Sequence, residues 1–233
     1  MTMESAYRRT MPVSALNVEA RGAFIARTYM HVFGAILAFI AIEVLLFTSG
    51  LAVPMARAML GTSWLLVLGG FMLVGWIATR VAHSTASRPA QYGALLAYVV
   101  AEAIIFLPLL VIAQMRVPGG IRSAALVTLL AFTGLTVVAF TSRRDFSFLG
   151  VVLKWGGVLA LVLIVAGVLF GFQLGTFFSV AMVGFAGAAI LYDTSNVLYR
   201  FPEDRYVGAA LQLFASVALM FWYVLRIFTS SRD

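Results

Sequence analysis

The sequence contains no cysteine. That excludes disulfides, thiolate metal sites and a thiol nucleophile. It contains one lysine, Lys154, near the beginning of an apolar run and outside the last one, which argues against a retinal protein with its Schiff-base lysine. Its two histidines, His31 and His83, stand alone with no acidic residue at ligand spacing. They read as interfacial side chains and not as metal ligands. There is no phosphate-binding glycine loop, no H-E-x-x-H and no G-x-S-x-G. Only one aspartate, Asp193, lies within an apolar run, so the shared-proton pair of an intramembrane aspartyl protease cannot form. These absences predict a protein that is not an enzyme, with no cofactor and no resident metal. The net charge of +7 comes from basic residues scattered singly or in pairs between apolar stretches. Without a contiguous basic face, nucleic acid is not an expected partner.

Apolar residues dominate what is present. They make up 63% of the 233 residues, with a mean hydropathy of +1.03; a soluble domain is usually closer to about 45–50%. A span needs about 20 apolar residues. Seven stretches qualify: Thr28–Ser49, Ser63–Val81, Ala90–Ala113, Ile121–Thr141, Phe148–Phe172, Thr176–Tyr199 and Val207–Phe228. Turn residues separate them, as at Ser49-Gly50, Pro118-Gly119-Gly120 and Pro202-Glu203-Asp204. Backbone groups cannot stay unpaired in lipid, so each stretch is expected to be helical, and the lack of period-two alternation argues against a barrel. The expected fold is an all-α integral membrane protein with seven transmembrane helices. Residues 1–27 form a polar segment before one seven-helix domain over 28–233, and no short apolar core of a signal peptide precedes the first span.

Basic residues set the expected orientation. The side holding the N-terminus carries Arg8, Arg9, Arg21, Arg27, Arg80, Arg88, Arg143, Arg144, Lys154, Arg200 and Arg205, 11 of the 16. The other side carries the remaining 5: Arg57, Arg116, Arg122, Arg226 and Arg232. This bias predicts a cytoplasmic N-terminus and an external Asp233.

Three carboxylates lie inside spans: Glu43, Glu102 and Asp193. A charge at the bilayer centre costs about 2.5–3.5 kcal/mol on insertion scales. Such a residue has a function or bonds a neighbouring helix, and both readings stand for Asp193 and for Glu102. Glu43, nearer the outer end of span one, reads as a snorkelling side chain. Helical spacing puts Ala186, Ala189, Asn196 and Arg200 on the face of Asp193, and Gly184, Ala188 and Ser195 on the opposite face. Two small or polar faces predict that span six is buried on two sides and central. Span seven carries a matching polar stripe of Gln212, Ser216 and Tyr223. A pairing of Asp193 with Arg80, at similar depth near the end of span two, would account for the buried charge.

Two stretches, Thr141-Ser-Arg-Arg-Asp-Phe-Ser-Phe-Leu-Gly150 and Ile190-Leu-Tyr-Asp-Thr-Ser-Asn196, resemble the Bax inhibitor (TMBIM) family, in particular its bacterial YccA-like branch. The resemblance runs over nearly the whole chain from span one onward. It implies a bacterial inner (plasma) membrane location and a last helix surrounded by the other six. It also implies a pH-sensitive cation (calcium) leak or, alternatively, a non-conducting regulator of a membrane-bound AAA protease or other membrane partner. In the leak reading, the span-six aspartate of the pH sensor matches Asp193 and the latch arginine matches Arg80, with Glu102 and Asn196 as pathway candidates. The second sensor aspartate falls on Ser216, a departure that removes the shared-proton dyad and one carboxylate from any calcium site.

Overall fold

The computed structural model describes residues 11–84, 87–142 and 144–230. Arg8, Arg9, Arg143, Arg232 and Asp233, which enter the orientation argument, lie outside the described residues, as does the first part of the segment 1–27.

Among the described residues eight α-helices follow one another: α1 Val18–Thr48, α2 Ala52–Leu60, α3 Trp64–Ser84, α4 Arg88–Arg116, α5 Gly120–Ser142, α6 Leu149–Phe170, α7 Gly175–Tyr199 and α8 Tyr206–Ser230. All but α2 are long and apolar enough to cross a membrane. The seven expected spans are therefore present, each close to its apolar run. The largest change is at the start. Asn17 caps α1 by accepting from the Ala20 N–H at 2.8 Å, so the helix begins at Val18, well before Thr28. Ahead of it, the 3-10 turn Val13–Ala15 folds back on the α7–α8 connection, with Val13 N–H donating to the Phe201 carbonyl at 2.9 Å. Val13 is fully buried there.

The short α2 was not expected. It buries Ala52 and Ala56 against Leu107 and Val111 of α4, at the end of the bundle opposite the start of α1. Small residues one turn apart let it lie flat on its neighbour.

The core is built around α8. Its residues Val207 to Leu213, apart from Gln212, are buried, and the burial continues through Phe214, Met220 and Leu225. It packs directly on α1, α3, α4, α5 and α7. One close approach needs a glycine: a Cβ on Gly208 would stand 3.0 Å from the Ala82 carbonyl oxygen of α3. The fifth span, α6, stands further off. It reaches the others mainly through α7, and through a small cluster in which Ala160, Met182 and Tyr223 are buried together.

The last helix is thus the central one, whereas α7 is not central as the two-faced reading of span six suggested. Its first half is open, with Phe177 94% and Val180 56% exposed, and Gly184 on the supposed second packing face has open space around it. Burial is continuous only from Asp193 to Leu198, with single buried positions such as Ser179 and Ala186 before it. Small residues permit close packing but do not compel it.

Candidate functional site

The two sequence motifs meet in space. Asp145, in the α5–α6 loop, accepts from its own turn at the Ser147 N–H (2.9 Å) and from Ser195 Oγ of α7 (3.2 Å). Ser195 Oγ in turn accepts from the Phe146 N–H at 3.0 Å. Arg200, just past the end of α7, pairs with the other Asp145 oxygen at 3.1 Å. The Ser147 N–H, with Arg200 in support, holds the Asp145 carboxyl below its ordinary range. One turn further along α6, Gly150 lies under the Tyr192 ring; a Cβ there would come within 2.9 Å of it. The loop and the Y-D-T-S-N stretch therefore form one clasp around the end of α7.

Asp193 lies on the inward side of this clasp and is buried. Ser216 Oγ of α8 donates to Asp193 Oδ2 at 2.5 Å, and the Gln212 side chain is a second hydrogen-bond partner. Two of the three residues of the stripe expected on the last span thus face Asp193, whereas Tyr223 packs with Ala160, Met182 and Phe178. The next residue, Thr194, is tied to α1, since the Tyr29 hydroxyl donates to Thr194 Oγ1 at 3.4 Å.

Arg80 is not brought to Asp193. It is exposed, and its guanidinium stands over the Trp76 ring on its own helix, 5.3 Å from the centroid. Equal depth along two helices does not fix which way each side chain points, and here the expected pair is replaced by neutral donors from α8. Glu43 also differs from expectation. Instead of snorkelling it is buried, and neither of its carboxyl oxygens has a hydrogen-bond partner.

Glu102 is buried on α4, one turn from its hydrogen-bond partner Tyr98. Glu102 and Asp193, from different helices, line the same cavity of about 1180 Å³ between α6 and the rest of the bundle. Arg116 and Thr229 line it toward one end of the bundle, Gly150 and Lys154 toward the other. The stacked rings of Trp64 and Trp222 form part of its wall, so these two face inward, while Trp76 and Trp155 are exposed. Asn196 is not among the lining side chains; its Oδ1 is buried without a partner. The site missed by sequence reading is the Asp145 clasp. The signal was there, since Asp followed two residues later by Ser in a loop is an Asx-turn pattern.

Comparison with known proteins agrees with this architecture. A family profile described as "Inhibitor of apoptosis-promoting Bax1" matches residues 21–233. The chain is 28% identical to Protein LIFEGUARD 4 of Arabidopsis thaliana, with 98% of this chain and 93% of that protein aligned. It is 34% identical to the uncharacterized protein PA2604 of Pseudomonas aeruginosa, over 46% of this chain and 49% of that protein. It is 32% identical to the Modulator of FtsH protease YccA of Escherichia coli, again over 46% of this chain and 49% of that protein. The match thus spans about half the length of these two bacterial relatives. With the family profile covering nearly the whole chain and seven spans of which the last is central, this multi-pass membrane protein belongs to the Bax inhibitor family.

Proposed function

We propose that the protein is a pH-responsive cation leak of the inner membrane, with its N-terminus in the cytoplasm. The observation that carries this reading is the shared cavity: two buried carboxylates, Glu102 and Asp193, line one opening that runs along α6. Intramembrane carboxylates facing a cavity mark ion pathways more often than lipid-facing ones do. In this reading Glu102 supplies a cation stop along the path, and Asp193 sets conduction through its protonation and its hold on Ser216 and Gln212. Calcium would meet one carboxylate at Asp193 together with the neutral oxygens of Ser216 and Gln212. Calcium prefers several oxygen ligands, carboxylates among them, so binding there is weak and the ion is free to leave. The latch role of Arg80 requires a second arrangement in which the guanidinium leaves Trp76 and reaches Asp193. Double-mutant flux measurements with Arg80→Ala and Asp193→Asn test it: coupled effects support the latch and additive ones remove it.

The test of the leak itself is calcium and proton flux into proteoliposomes at two pH values. Wild type should conduct above empty vesicles with a rate that depends on pH, Asp193→Asn should lose the pH dependence, and Glu102→Gln should lower the rate. Flux equal to that of empty vesicles at both pH values would overturn the leak.

A second reading has its own support. The relative YccA is by name a modulator of the FtsH protease, and Ser216 stands where a sensor dyad would need an acid. In that reading the protein conducts nothing and restrains a membrane-bound protease. Co-purification of a membrane protease with the full chain, alongside absent flux, would favour it.

A further inference from the structure

At the end of the bundle where α1, α4 and α8 meet, two arginines share one aromatic ring. The Arg88 guanidinium lies 4.4 Å and that of Arg27 5.9 Å from the Tyr206 ring centroid. The two cations therefore share one ring, whose hydroxyl is hydrogen-bonded to that of Tyr92. Two cations gathered on one ring make this corner attractive to an anion. Yet among the described residues neither arginine has a carboxylate within ion-pair distance, and Arg88 Nη1 is buried with no hydrogen-bond partner. Glu19 and Glu203 line a separate cavity of about 280 Å³ with Arg27, without an ion pair to it.

The platform under the two cations is held in place. His31 Nδ1 lies 2.7 Å from the Arg27 carbonyl, so that nitrogen carries the proton and donates. His31 Nε2 stands 3.0 Å from the Tyr92 hydroxyl, and that hydroxyl shares a hydrogen bond of 3.3 Å with the Tyr206 hydroxyl. These contacts fix the two phenol rings, and Arg88 Nη1 is left as an unpaired donor beside them. Bidentate N–H donors in pairs match the oxygens of a phosphate.

The surroundings choose the source of that phosphate. Below Arg27 on α1, Met30 and Leu37 are 63% and 49% exposed; below Tyr92 on α4, Leu96 is 58% exposed. These follow the arginine and tyrosine at helical spacing, on the same outward faces. A cationic pair at headgroup level above an exposed apolar strip fits a phosphate with acyl chains attached. We propose that Arg27 and Arg88 bind the phosphate of an anionic phospholipid in the leaflet on this side, with Tyr206 as the platform and the chains lying along α1 and α4.

The test is native mass spectrometry of the full chain in neutral detergent, titrated with phosphatidylglycerol, phosphatidylcholine or glycerol 3-phosphate. Wild type should retain phosphatidylglycerol in preference to phosphatidylcholine. Arg27→Gln and Arg88→Gln should each weaken retention about fivefold, equivalent to about 1 kcal/mol per arginine near a charged surface, with Arg122→Gln at the opposite end unchanged. Equal retention by wild type and both folded single variants would overturn the site. Displacement of the lipid by an equal concentration of glycerol 3-phosphate would overturn the lipid as occupant.

Discussion

Ser216 donates to Asp193 across the α7–α8 contact, the position at which a second carboxylate would have made a dyad. A serine hydroxyl supplies a proton donor where an acid would add a charge. Ser216→Ala leaves a buried carboxyl short of a partner, which costs about 1–3 kcal/mol. The thermal midpoint of the purified protein in detergent should fall accordingly, and Ser216→Thr should largely restore it. An unchanged midpoint in the alanine variant would mean that Gln212 suffices alone.

The Asp145 clasp predicts an acid-side stability loss. Its carboxyl is held below its ordinary value of about 3.9, so its contribution is complete above that value and is lost as pH falls through the lower folded one. The effect should be small, because Asp145 and Arg200 are 50% and 53% exposed. Asp145→Asn should flatten the stability profile below about pH 4 relative to wild type. Ser195→Ala should add little on top, because both changes break one network.

Two glycines should resist a methyl group for different reasons. Gly208→Ala drives a Cβ against backbone at Ala82, which cannot rotate away; a loss of about 1–3 kcal/mol is expected. Gly150→Ala meets the Tyr192 ring instead, so truncating the ring in Gly150→Ala/Tyr192→Leu should recover most of the loss. Denaturation of the single and double variants in detergent distinguishes the two cases.

Glu43 offers the opposite sign. Both of its oxygens are buried without a partner, below Ala35 and Phe39 on the inward stripe of α1. Replacing an unsatisfied buried polar group with an apolar one of similar length stabilises, by about 1 kcal/mol or more. Glu43→Met should raise the thermal midpoint; a fall would show that Glu43 has a role in the native fold.

The spans were legible because a bilayer imposes a length and an apolar content that few other structures share. The stripe of Gln212 and Ser216 was legible as well, since helical spacing puts both on one face, and that face does meet Asp193. What spacing cannot supply is the rotation of one helix relative to another. Arg80 and Asp193 sit at similar depth yet point to different surroundings, and Gly184 has the spacing of a packing face with nothing packed on it. The helix α2 escaped notice because nine residues ending an apolar loop carry too little length to register as a span. The clasp escaped because its residues are dispersed over two motifs that become one only when the loop folds back on α7.

The central place of α8 also dictates an order of assembly. A helix made after all the others must enter a ring that has already been laid into the bilayer, so the first seven helices cannot reach their final packing while the ribosome is still short of it. Until then, the small and polar surfaces meant for α8, among them Asp193 and Ala82, stay uncovered. A gap between α6 and its neighbours is the natural doorway for that late arrival. Newly made chains stalled before residue 206 should therefore be the forms most readily recognised by membrane quality control.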